Sequence, residues 1–162
     1  MIIFDREGNV ENFWGDGVFT NPHGVTIGPD DEVYCVDNGD HTVRKFTADG
    51  KLLLTIGNPG QSAPAMSGIP FARPTHVAVE PNTGNFYVAE YRNHRVSKFN
   101  ASETFVKSWG SYGSGNGNFT YPWGVAIDSS DNVFVSDIYG HRVQKFDVNG
   151  TFDDNEMVVN TG

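Results

Sequence analysis

Cysteine is almost absent from this chain. Cys35 is the only one among 162 residues, so no disulfide can form within the chain. Cys35 also takes the strand position that Val88 and Val135 hold elsewhere, which reads as a buried structural thiol and not a nucleophile. Basic residues are scarce: 11 Lys and Arg against 20 Asp and Glu give a net charge of −9, which argues against a nucleic-acid partner. No apolar run is long enough to span a membrane. The opening Met1-Ile-Ile-Phe-Asp has neither the basic flank nor the cleavage site of an export signal. The expectation is therefore a soluble protein without a membrane partner, with secretion left open. Amphipathic helical runs are missing too. With 19 Gly and 8 Pro punctuating a chain of 13% aromatic content, the composition suits a turn-rich all-β fold. No Gly-x-Ser-x-Gly elbow and no Cys-x-x-Cys pair occurs, and Gly113-Ser-Gly-Asn-Gly is not followed by the helix a phosphate loop requires.

What the chain does contain is a repeat. Phe19-Thr-Asn-Pro-His-Gly-Val-Thr-Ile returns as Phe71-Ala-Arg-Pro-Thr-His-Val-Ala-Val and as Phe119-Thr-Tyr-Pro-Trp-Gly-Val-Ala-Ile. Each copy runs into an alternating stretch ending in an acid, at Asp37, Glu90 and Asp137. Each then reaches a His (His41, His94, His141) and a Lys-Phe pair. A period of about 50 residues built from short strands points to a β-propeller, with four antiparallel strands per blade. The whole chain, residues 1–162, reads as one such unit with repeats at 19–57, 71–110 and 119–157. Residues 1–18 read as the outer strands of a blade, because Asn9–Trp14 aligns with Thr104–Trp109. The third repeat ends weakly, since Thr151-Phe-Asp-Asp-Asn-Glu has poor strand propensity. Propellers need about four to eight blades to close. Two explanations stand: a piece of a longer propeller, or a homodimer closing a six-bladed ring in which each N-terminal strand finishes the partner's third blade.

The repeat also sorts blade residues from site residues. His41, His94 and His141 each follow the strand acid by four residues, so an acid–His pair across the turn is the expected structural role. Residues that differ between copies gather at one mouth of the channel, with the long insertions at 58–70 and 111–118. His23 heads an inner strand, where an imidazole suits zinc, and His76 lies one position further along its own repeat. Tyr91 beside Arg92 fits a base assisted by a cation. Trp123 and Tyr139 fit stacking plates for a small molecule or peptide at the mouth. The inward carbonyls of Val25, Val77 and Val125 could ring a cation such as calcium.

The Asn93-His94-Arg95-Val96 and Lys-Phe cadence resembles NHL repeats over residues 19–150. Pro22-His23-Gly24-Val25 and Arg73-Pro-Thr-His-Val-Ala-Val-Glu-Pro-Asn-Thr-Gly are similar to the catalytic domain of peptidyl-α-hydroxyglycine α-amidating lyases. The resemblance implies a six-bladed propeller that splits a peptidyl hydroxyglycine into an amidated peptide and glyoxylate, with channel zinc and structural calcium. It places His23 on a zinc ligand, the Val25 carbonyl on a calcium ligand and Tyr91 on a catalytic tyrosine. It puts Trp123 where a second zinc histidine belongs and Ile138 where an arginine belongs. The readings carried forward are a metal-dependent lyase of this kind, with ester or lactone hydrolysis second, a non-catalytic ligand- or protein-binding propeller, and a self-assembling half-propeller scaffold.

Overall fold

The computed structural model describes residues 1–64, 71–154 and the backbone of 158–159. The second half of the first long insertion and the end of the third repeat, residues 65–70 and 155–157, lie outside the described residues. The strands are β1 (Ile2–Phe4), β2 (Val10–Phe13), β3 (Pro22–Ile27), β4 (Val33–Asp37), β5 (Thr42–Phe46) and β6 (Leu52–Ile56). They continue with β7 (Pro74–Val79), β8 (Phe86–Glu90), β9 (Arg95–Phe99) and β10 (Phe105–Trp109). The last four are β11 (Pro122–Ile127), β12 (Val133–Asp137), β13 (Arg142–Phe146) and β14 (Val158–Val159). A 3₁₀ turn, Tyr91–Asn93, joins β8 to β9.

Three four-stranded antiparallel meanders result, β3 to β6, β7 to β10 and β11 to β14, preceded by the β1–β2 hairpin. They form blades 1, 2 and 3. The fourth place on blade 3 is held by β14, which pairs Val158 with Val143 and Val159 with Arg142. β2 pairs within its own hairpin, Phe13 opposite Ile2.

Alternation along each strand sends one set of side chains to the blade before and the other to the blade after. Between blades 1 and 2 the buried set is Tyr34, Val36 and Val43 against Phe71, Val77, Phe86, Val88 and Phe99. Phe86 and Phe99 stack with centroids 5.0 Å apart. Between blades 2 and 3 it is Ala78, Tyr87, Ala89 and Val96 against Phe119, Val125, Val133, Val135 and Phe146. Equivalent valines measure the difference between a covered and an open face: Val77 is 0% exposed, Val125 3% and Val25 50%. Among the described residues, the face of blade 1 turned away from blade 2 is covered by Trp14, at the end of the hairpin, and by Phe19.

Charged ties repeat at each junction. Lys45 lies over the Tyr34 ring and pairs with Glu32 at 2.7 Å and with Glu103 of blade 2 at 3.6 Å. Lys98 lies over the Tyr87 ring and donates to the Val148 carbonyl of blade 3 at 2.9 Å. The Tyr87 hydroxyl donates to Glu80. Burial and that carboxylate push the phenol well above its ordinary range. Burial pushes the Cys35 thiol up to about 11, as a structural thiol requires.

The hairpin stands where the outer two strands of a preceding blade would be. Trp14 packs on Phe46 at 4.8 Å and its indole N–H donates to the Ala48 carbonyl at 3.3 Å. The close approach needs glycine: a Cβ at Gly50 would meet the Trp14 ring at 2.4 Å, and one at Gly150 would meet Trp109 at the same 2.4 Å. The matching glycines mark β2 and β10 as occupying equivalent outer positions.

Each strand-end acid is a buried hub. Asp37 accepts from the N–H groups of Thr20 at 2.7 Å, Asn21 at 2.9 Å and Asp40 at 3.0 Å, and from Arg44. Asp137 does the same for Thr120 and Tyr121 and pairs with Arg142. The acid therefore pairs with the strand arginine, not with the recurring histidine expected from the sequence. His41, His94 and His141 sit at φ of 62°, 51° and 51°, a left-handed turn conformation. This turns His41 and His94 toward the following blade: His41 Nδ1 accepts from the Arg73 N–H at 3.0 Å, and His94 Nδ1 meets the Thr120 carbonyl at 2.9 Å.

The hubs make stability depend on pH. Burial alone would raise Asp37, but the three amides and Arg44 outweigh it and hold the carboxyl below its ordinary value. Glu32, Glu80 and Asp147 are also lowered, by hydrogen bonds and, for Glu32 and Glu80, by lysine partners that outweigh burial. Folded values below unfolded ones give stability that is present above the unfolded range and lost as pH falls through the folded values. The urea midpoint is expected to fall steeply below about pH 4. A midpoint flat from about pH 6 to pH 3 would contradict this assignment.

Candidate functional site

Repetition places Pro22, Pro74 and Pro122 at the heads of the inner strands, followed by His23, Thr75 and Trp123. Thr75 is buried and bonds to the Ala89 carbonyl at 3.2 Å. His23 is exposed, with its Nδ1 on the Thr75 carbonyl at 2.6 Å. His76 is partly buried, with its Nδ1 on the Val125 carbonyl at 3.0 Å. A ring nitrogen facing a carbonyl must donate, so both rings carry a proton on Nδ1. Burial lowers the His76 pKa and the His23 charge adds to that, outweighing the Val125 carbonyl. Gly24 leaves room for His76: a Cβ there would come within 2.9 Å of the His76 ring.

Two imidazoles held through Nδ1 leave Nε2 as the nitrogen a metal such as zinc would take. Among the described residues, no group of three or more His, Cys, Asp or Glu side chains comes together to hold a metal. Of the inward carbonyls, Val77 accepts from the Thr26 hydroxyl at 2.6 Å and Val125 from His76. Among the described residues, Val25 has no such side-chain donor.

Aromatic rings run outward from His23. Its ring meets Trp123 edge-on at 4.4 Å, and Trp123 stacks on Tyr121 at 5.6 Å. Tyr121 in turn stacks on Tyr91 at 4.3 Å and meets Tyr139 edge-on at 4.9 Å. The structure thus joins His23, Trp123, Tyr91 and Tyr139 through Tyr121, a residue the sequence comparison passed over. Burial and the Tyr91 hydroxyl raise the Tyr121 pKa. Arg92 follows Tyr91 in the 3₁₀ turn and is exposed.

Arg73 was passed over as well. It precedes Pro74 as Asn21 precedes Pro22 and Tyr121 precedes Pro122. That triplet differs in every copy and could have been found by the same comparison that found His23. Arg73 Nη1 donates to Asn38 Oδ1 at 3.3 Å, and its backbone sits at φ 52°. Burial and then Arg73 depress the His41 pKa, against the pull of Asp40.

Repeated four-stranded blades packed face to face make this a β-propeller unit. The family model for the NHL repeat matches residues 19–46, 71–99 and 119–146, and the chain belongs to that family. It is 38% identical over 114 residues to peptidyl-alpha-hydroxyglycine alpha-amidating lyase 1 of Drosophila melanogaster, covering 68% of this chain and 20% of that protein. It is 30% identical over 145 residues to human NHL repeat-containing protein 3, covering 82% of this chain and 41% of that protein. The chain thus spans well under half the length of these curated relatives. A streptogramin B lyase structure superimposes with a TM-score of 0.70 at 13% identity, over 98% of this chain and 47% of that one, a likeness of fold.

Proposed function

We propose that this chain is a ligand-binding NHL propeller unit of the amidating-lyase type, which takes a peptide or small molecule at the channel mouth beside a two-histidine metal position. The observation that carries this reading is the unbroken run of rings from Tyr91 and Tyr139 through Tyr121 and Trp123 to His23. Such a run favours a flat or apolar group sliding toward the histidines. His23 and His76 would hold zinc through Nε2, with the Val25 carbonyl as a further oxygen donor; the engaged Val77 and Val125 carbonyls make a calcium ring the weaker choice. Bound zinc would supply a Lewis acid at the foot of the aromatic run. Tyr91 and Arg92 would handle a proton and an anionic charge in this reading. Calcium, zinc and homodimer closure of the ring are parts of this proposal.

Lyase turnover is expected to be weak, because Trp123 and Ile138 replace a histidine and an arginine that the resemblance assigns to catalysis. Two measurements test the reading. Purified protein should bind zinc with a stoichiometry near one, and His23→Ala should remove most of it. Metal content unchanged in His23→Ala, or no zinc taken up by the parent chain, would defeat the metal position. Turnover of a peptidyl-α-hydroxyglycine well above background would defeat the claim that Trp123 and Ile138 silence the chemistry.

A further inference from the structure

The cations of strands β5, β9 and β13 are all matched: Arg44, Arg95 and Arg142 with the strand-end acids, Lys45, Lys98 and Lys145 with Glu32, Glu80 and Asp153. Arg73 and Arg92 form no ion pair among the described residues. In a chain of net charge −9, two unpaired guanidiniums at one mouth are poorly explained by folding. Arg73 is also costly to keep. Its backbone is left-handed at φ 52°, where asparagine is easier, and its Nε–H is buried without an acceptor. Its Nη1 is oriented by Asn38, whose own Nδ2 is anchored on the Pro74 carbonyl at 3.0 Å. Next along the mouth stands the Tyr91–Tyr121 stack, with Arg92 directly after Tyr91.

We infer that the mouth is built for a carboxylate carried close to an aromatic ring, as at the C-terminus of a peptide ending in an aromatic residue. Arg73 and Arg92 take the carboxylate through charge-assisted hydrogen bonds, which the planar guanidinium fork suits. The ring lies against Tyr91, Tyr121 and Trp123. This deepens the ligand-binding reading by naming the ligand's chemistry, and it rests on the mouth being open to ligands, not on the zinc position.

The test is calorimetric titration of the whole chain in the presence of a chelator, which separates it from any failure of the metal proposal. Three probes are compared: N-acetyl-phenylalanine, its amide, and N-acetyl-leucine. The acid with the phenyl ring should bind on the order of tenfold more tightly than either control. Arg73→Asn, which places there the residue found at Asn21, should erase the preference for acid over amide and leave the preference for phenyl over leucine. Tyr121→Leu should do the reverse. Equal binding of acid and amide by the parent chain, no binding of any probe, or an Arg73→Asn variant that still prefers the acid would each overturn the inference. Because the amide and leucine controls use the unaltered protein, the result does not depend on either variant folding.

Discussion

Glu90→Ala is expected to cost about 3–5 kcal/mol, the range for removing one partner of a buried ion pair. Glu90 is fully buried. Its Oε1 takes Arg95 Nε at 2.8 Å and Ser97 Oγ at 2.6 Å; its Oε2 takes the Ala72 N–H at 3.0 Å, Asn93 Nδ2 at 2.9 Å and Arg95 Nη2 at 3.2 Å. One carboxylate thus joins the loop entering β7, the 3₁₀ turn and strand β9. Alanine leaves those donors without it and opens a void in the middle blade. Folded domains are stable by about 5–15 kcal/mol, so the loss would take much of the total. Arg92→Ala, on the exposed side of the same turn, should stay within about 0.5 kcal/mol. Chemical denaturation of both variants is the check; a Glu90→Ala loss under about 1 kcal/mol would show that the hub is not what holds the middle blade.

The blade plan was legible because it is written in side-chain alternation and turn residues, and repetition averages out local ambiguity. Strand positions in all three copies follow from Val33–Asp37 and its equivalents. The histidine role was not legible. Spacing placed each His four residues after its acid, but a left-handed backbone carries His41 and His94 across to the neighbouring blade, and backbone sign is not written in residue order. Within the site, comparing equivalent positions singled out His23, Trp123, Tyr91 and Tyr139 because their copies differ in chemistry. Tyr121 and Arg73 lie inside the same repeated stretch, one residue before its proline, but were not compared. Their N–H groups are fixed by contacts from elsewhere, Asp137 for Tyr121 and His41 for Arg73, which only the fold brings near.

The 162-residue chain is expected to associate in solution, giving a dimer of twice 17.8 kDa in which two copies close one ring. The argument lies in the two end faces. Val25 and Ile27 are 50% and 58% exposed, while Val77 and Val125, equivalent to Val25, are buried by a preceding blade. At the other end Lys145 lies over the Phe134 ring as Lys98 lies over Tyr87, repeating the geometry that elsewhere receives the next blade's outer turn. The turn at Thr47–Gly50 of a second copy would be received there. Two such contacts related by a two-fold axis close the assembly. An interface of obligate type buries about 2,000 Å² or more, at roughly 25 cal/mol for each apolar Å². The hairpin sets the condition for closure. β1 and β2 hold the outer corner of blade 1 that the incoming β13 and β14 would need, fixed there largely by Trp14 on Phe46 and Gly50. Strand exchange into the partner's third blade, the simplest expectation from the sequence, would also have to displace β14. Removing residues 1–15 should therefore tighten the dimer, whereas Ile27→Asp, which puts a charge on the open face, should abolish it. Light scattering with the three proteins decides: a parent chain that stays monomeric, or an Ile27→Asp variant that dimerises as well as the parent, would rule out association through this face.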